Sequence, residues 1–142
     1  MTASGGIVEP HSPGSQFADG LTPDAAPPLD ADLLLSGAPQ PFGPAEHVLF
    51  KPRWGAFHRT ALESHLIALD VDTVVVAGCN FPNCPRATII GASERDFRVL
   101  AVSDALSRWT TTAAAELAGI GVAAGTTSTV VESLTQNGKP CA

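Results

Sequence analysis

A chain of 142 residues has the length of one domain, and folding at this size buries roughly 70% of the unfolded surface, enough for a true core. It is 44% hydrophobic and only 15% charged, with a formal net charge of -6, so no basic stripe is expected on which a nucleic acid would be neutralised. No apolar run reaches the ~18 residues of a membrane helix, and residues 1–6 carry neither the basic nor the apolar region of a signal peptide. The expectation is a soluble, cytoplasmic protein with no nucleic-acid or membrane partner.

Residues 1–45 are rich in Pro and Gly and read as a surface segment, within which 31–35 suits a short strand or a turn of helix. For residues 1–28 the composition alone also fits a disordered linker or tail. After Pro44 short apolar runs alternate with helix-like patterns, the signature of βα units on a parallel sheet, so 46–135 is the expected core and 136–142 a tail. Residues 47–50 form a strand candidate that leads straight into Lys51. Thr60 and Glu63 have the spacing of a capping box ahead of Leu62, Leu66 and Leu69, which predicts a helix over 61–69. The β-branched run 73–77 resembles a central strand buried on both faces, ended by Gly78. A loop follows, and Pro85 suits the first turn of a helix that places Cys84 at its N-terminus. The pattern then predicts a strand over 97–102, closed by Ser103, Asp104 and Ala105. A helix over 111–118, a short strand over 122–124 and a helix over 128–134 complete the chain.

Cys79, Cys84 and Cys141 are an odd set at irregular spacing, which argues for reduced thiols rather than a disulfide framework. The four residues between Cys79 and Cys84, with no nearby His, disfavour a zinc site, and no metal or other cofactor is expected. Cys141 lies in the tail, and Cys79 follows the strand directly, where packing or loop geometry is its expected role. In open α/β sheets the ligand crevice lies outside the carboxyl ends of the strands, and that rim would carry Lys51, Cys84 and Asp104. A thiol with a free pKa of about 8.5 becomes a competent nucleophile when a helix N-terminus and an ammonium stabilise its thiolate. Cys84 with Lys51 fits that need, although a Cys in an apolar stretch is often a small core residue. His58 lies just before the predicted 61–69 helix and His65 within it, and the spacing singles out neither as a partner for the thiol.

Four stretches then combine: Lys51 to Leu62 with Trp54, Phe57 and Thr60; Val74 to Gly78; Asn83 to Thr88 around Cys84; and Val99 to Ala105 ending in Asp104. In this order and spacing they resemble the isochorismatase-like cysteine hydrolase superfamily. The resemblance implies an α/β, Rossmann-like parallel sheet with flanking helices, and a Pro/Gly-rich start that is ordered surface chain. It implies hydrolysis of a small-molecule amide or related bond, with Cys84 as nucleophile and Lys51 stabilising the charged pair. It also implies a cis peptide at Cys79-Asn80, turning the backbone N–H groups of Asn80 and Cys84 towards the oxyanion. Trp54 and Phe57 would wall the substrate pocket, with core packing an equal alternative, and Arg53 or Arg86 would bind a substrate carboxylate.

One departure accompanies the match. Members of the superfamily begin with a strand ending in the catalytic Asp, and nothing of that kind precedes Lys51. Asp19, Asp24, Asp30 and Asp32 lie in Pro/Gly-rich or surface-like context. The expectation is therefore a single domain lacking the first strands and truncated at its N-terminus; an in-frame strand ending in Asp just upstream would make Met1 a misplaced start. The rival expectation is an inactive fragment or interaction module that pairs through exposed strand edges, which leaves homo-oligomer formation open.

Overall fold

The computed structural model describes residues 9–18 and 20–136; Asp19 and Cys141 lie outside them. The chain divides into two compact units, residues 1–50 and 51–142.

In the first unit a 3-10 turn, Pro13–Ser15, precedes helix α1, Ala31–Leu35. Asp30 starts α1 because its carboxylate accepts the Leu33 N–H at 3.0 Å, the N-cap role its short acidic side chain favours. Strands β1, Gln40–Gly43, and β2, Glu46–Val48, form an antiparallel hairpin. Gln40 is buried but fully used: its Nε2 donates to Pro28 O at 2.8 Å and its Oε1 accepts from Asp30 N at 2.9 Å. Buried amides need such partners. The rings of Phe17 and Phe42 meet at 5.3 Å.

The hairpin corrects one expectation. The strand candidate before Lys51 exists, shifted to Glu46–Val48, but it pairs antiparallel with β1 and is no part of a parallel sheet. Residues 43–45 supply the reason, since Gly43 and Pro44 make the tight connection that turns the chain back on itself.

The second unit is an α/β layer with a parallel sheet of order β3-β4-β5. Its elements are α2, Leu62–Ala68; β3, Thr73–Gly78; α3, Cys84–Ser93; β4, Arg98–Leu106; α4, Thr111–Ala118; β5, Ala123–Gly125; and α5, Thr127–Gln136. Helix α3 packs on β3 and β4, α5 on β4, and α4 on β5. The core centres on Ile89 and Ala92 of α3, Val99 and Ala101 of β4, and Leu117 of α4. At α4 Thr110 caps the helix by accepting the Ala113 N–H at 3.1 Å.

Two expectations change here. Thr60 and Glu63 make no capping box: α2 begins after Ala61 without a side-chain cap. The Thr60 hydroxyl instead donates to Ala56 O at 2.6 Å and accepts from Leu62 N at 3.3 Å, while Glu63 pairs with Arg95 at 2.7 Å. A cationic partner competes successfully for the carboxylate that a cap would use. The β-branched strand is present, but it is an edge strand of the described sheet and not a central one. Val76 faces the core whereas Val75 is 46% exposed. An uninterrupted apolar run thus marks a strand without fixing how many faces are covered.

Candidate active site

β3 ends at Gly78, whose φ of +124° is open to glycine and strained for any other residue. The chain then turns through a cis peptide at Cys79-Asn80, at the position the resemblance implied. Segment 106–107 of the neighbouring strand end holds this loop in place. Ser107 N donates to Gly78 O at 3.1 Å, Phe81 N donates to Ser107 O at 2.9 Å, and the Ser107 hydroxyl reaches Asn80 Oδ1 at 3.1 Å. Beneath the loop Phe81 is buried edge-on against Trp109, ring centroids 4.8 Å apart.

Cys84 is the first residue of α3, followed by Pro85, which lacks only an N–H that the first turn would leave unpaired anyway. The thiol is half-buried and free. Asn83 N bonds to Asn80 O at 3.0 Å and Arg86 N to Phe81 O at 3.1 Å, closing the first turn onto the loop. Among the described residues, the amides of Asn80 and Cys84 are bonded to no protein acceptor. Two donors and a thiol therefore share one short loop at a helix N-terminus, where the backbone favours negative charge.

Lys51 lies at the start of segment 51–60, its Nζ 3.4 Å from Arg53 O. That segment packs along α3. A Cβ on Gly55 would stand 3.4 Å from Ala87 O, and one on Gly91 would stand 3.3 Å from the Phe57 ring. Between these contacts Ala56 N donates to the Thr88 hydroxyl at 3.1 Å, and that hydroxyl donates to Cys84 O at 2.9 Å. The segment carrying Lys51 and the helix carrying Cys84 are thus seamed together.

Trp54 and Phe57 have different surroundings. Trp54 is 65% exposed and, with Arg53, Gly55, His58 and Ala87, lines a shallow, open cleft of about 410 Å³, to which neither Cys84 nor Lys51 contributes. Phe57 belongs to the core at 8% exposure, 6.0 Å from the Phe97 ring and with the Arg95 guanidinium 4.9 Å above it. Arg86 pairs with Glu116 at 3.0 Å. Asp104, which the sequence grouped with Lys51 and Cys84, is used by the fold: its Oδ1 accepts the Thr127 N–H at 2.8 Å and the Thr127 hydroxyl at 3.0 Å. Those bonds, the backbone one foremost, hold its carboxyl below the usual carboxylate range. Among the described residues no carboxylate is paired with Lys51. The second unit's other engaged acids serve Arg95, Arg98 and Arg86, and Asp72 is lowered first of all by its bond to Arg98. No group of His, Cys, Asp and Glu suited to a metal ion occurs among the described residues.

Sequence reasoning did not single out Thr88 or Ser107. Thr88 stands one helical turn after Cys84, so its position was a signal; Ser107 shows its role only once β3 and β4 are paired.

The isochorismatase domain, as a family, matches residues 10–133. This chain belongs to the isochorismatase family. It is similar to an isochorismatase family protein from Desulfovibrio vulgaris, with 31% identity over 68% of this chain and 52% of that one, at a TM-score of 0.58. A cysteine hydrolase from Pseudomonas syringae is 26% identical over 61% of this chain and 47% of that one, at a TM-score of 0.57. Maleamate amidohydrolase of Pseudomonas putida is 42% identical over 59 residues, 42% of this chain and 28% of the enzyme. The chain spans about half the length of these structural relatives and less of the curated one. In the described part of this isochorismatase family chain, no helix is long and apolar enough to cross a membrane.

Proposed function

We propose that this chain is the cysteine-bearing part of a hydrolase that cleaves small-molecule amides through a Cys84 thiolate. One observation carries the reading: Cys84 opens α3 beside two backbone amides, its own and that of Asn80, that no protein acceptor occupies among the described residues. The name of the Pseudomonas putida relative supports an amide as the substrate class.

In this reading the thiolate attacks the amide carbon, and the oxygen that becomes negative is met by the Asn80 and Cys84 N–H groups. Each such donor is worth roughly 3 kcal/mol in the transition state. Collapse of the tetrahedral adduct breaks the C–N bond and leaves a thioester on Cys84, the departing nitrogen taking up, by way of water, the proton that the thiol gave up on becoming a thiolate, so that the neutral amine leaves. Water then attacks the thioester, giving the carboxylic acid and restoring the thiol. Lys51, on the segment seamed to α3, is the cation assigned to the charged pair of this reaction. Trp54 and Arg53 offer a flat apolar wall and a cation to a substrate that carries a carboxylate, since a guanidinium matches that group's geometry. Phe57, buried in the core, is given no contact with substrate in this reading. No step requires a cofactor, and the protein works in the cytoplasm on a freely diffusing small molecule.

A second reading, a silent domain of the same fold, draws on a specific observation. No acid is paired with Lys51 among the described residues, and β3 presents an open edge with Val75 exposed. Ammonia release from a panel of small primary amides, maleamate among them, separates the two. The leading reading expects turnover that falls at least about 1,000-fold in Cys84→Ala and at least about tenfold in Lys51→Met. Equal release by wild type and Cys84→Ala refutes it.

A further inference from the structure

The seam between segment 51–60 and α3 has a polar centre that the proposed reaction does not itself use. Ala56 is held on both sides of its residue by threonine hydroxyls: its N–H donates to Thr88 Oγ1 at 3.1 Å, and its C=O accepts from Thr60 Oγ1 at 2.6 Å. Because the Ala56 N–H must be the donor, the Thr88 hydroxyl proton is left to point at Cys84 O, 2.9 Å away. One hydroxyl therefore links the segment that begins at Lys51 to the peptide of the proposed nucleophile. Apolar contacts flank it, with Gly55 against Ala87 on one side and Phe57 against Gly91 on the other. These contacts bring the two backbones together but do not fix their register; a hydrogen bond with a defined donor and acceptor does.

We propose that Thr88 is a positioning residue, whose hydroxyl sets the register between the Lys51 segment and the first turn of α3 and so keeps the ammonium where it acts on the Cys84 thiol. The inference rests on the reading of Cys84 and Lys51 as the reacting pair. Its consequence has a sign that distinguishes it from simple loosening. If Thr88 only stabilised the fold, losing its hydroxyl would open the seam, expose the half-buried thiol and speed alkylation at every pH. If it positions Lys51, losing the hydroxyl withdraws charge from the thiolate and slows alkylation near neutral pH.

The test is the rate of Cys84 alkylation by iodoacetamide across pH 5–10, read by mass spectrometry of the Cys84 peptide. It is run in the full chain for wild type, Thr88→Val, Thr88→Ser and Lys51→Met, together with hydrogen exchange at the Ala56 amide. Valine keeps the shape and removes the hydroxyl. The expected result is faster Ala56 exchange in Thr88→Val, an alkylation midpoint moved to higher pH in the direction of Lys51→Met, and a rate at pH 7 lower by about fivefold, the scale of one hydrogen bond. Thr88→Ser restores the wild-type profile. Faster Ala56 exchange with an unmoved or accelerated profile overturns the inference. A profile moved by Thr88→Val but unmoved by Lys51→Met overturns both the lysine's role and the positioning built on it, whereas one moved by Lys51→Met alone overturns only the inference. If Thr88→Val does not fold, Thr88→Ala takes its place; failure of both to fold makes Thr88 structural and likewise overturns the proposal.

Discussion

Asp104 shows how one residue can look catalytic in sequence and serve the fold in space. An acid at the carboxyl end of a strand, on the same rim as a Lys and a Cys, invites a role in proton transfer. In the structure the carboxylate is taken by the first N–H and the hydroxyl of Thr127, at the start of α5, where an anion also complements the helix end. These bonds lower its pKa in the folded chain. A lowered carboxylate contributes stability above its unfolded pKa, about 3.9, and that contribution is lost as pH falls through the lower folded value. Asp104→Asn, which keeps an acceptor but no charge, should lower Tm at pH 6, and the gap to wild type should close on acidification below pH ~4. Thermal melts at a series of pH values check this, and a gap that persists unchanged at pH 2 contradicts it. Cys84 and Lys51 stand differently, because neither side chain is consumed by a structural ion pair among the described residues.

At the scale of elements, the second unit was largely legible. The helix Thr111–Ala118 falls on the predicted 111–118, and the Cys84 helix begins where Pro85 indicated. These signals are local, so they survive without tertiary knowledge. β4 runs to Leu106, past the Val102 end that its apolar pattern suggested; its extension is held by partners distant in the chain, Ser103 bonding Gly125, Asp104 bonding Thr127 and Leu106 pairing with Gly78. The burial of β3 was illegible for the same reason, since exposure of Val75 depends on which elements lie over it. The contrast is measurable by urea denaturation. Ile89→Ala on α3, fully buried, should cost about 2–5 kcal/mol, whereas Val75→Thr should stay within about 0.5 kcal/mol. A Val75→Thr loss as large as that of Ile89→Ala would show that the outer face of β3 is covered in solution. The resemblance accounted for the Cys79-Asn80 peptide. It could not separate Trp54 in the cleft from Phe57 in the core, because both are aromatics following one lysine.

For the whole molecule, the two units divide the labour of the chain unevenly. The unit of residues 1–50 folds around Gln40, Phe42 and α1, and its apolar groove, about 380 Å³ and lined by Leu34, Leu35 and Phe50, holds neither a cysteine nor a lysine. The thiol, the lysine and the two available amides all belong to residues 51–142. The central claim is that chemistry passes through Cys84, and a trapped intermediate tests it most directly. Wild-type protein mixed with an amide that it turns over, quenched in acid within the first turnovers and digested, should yield the Cys84 peptide carrying the mass of the acyl group. Turnover without that adduct, or with the acyl group on the Cys79 sulfur and Cys84 unmodified, would contradict the account.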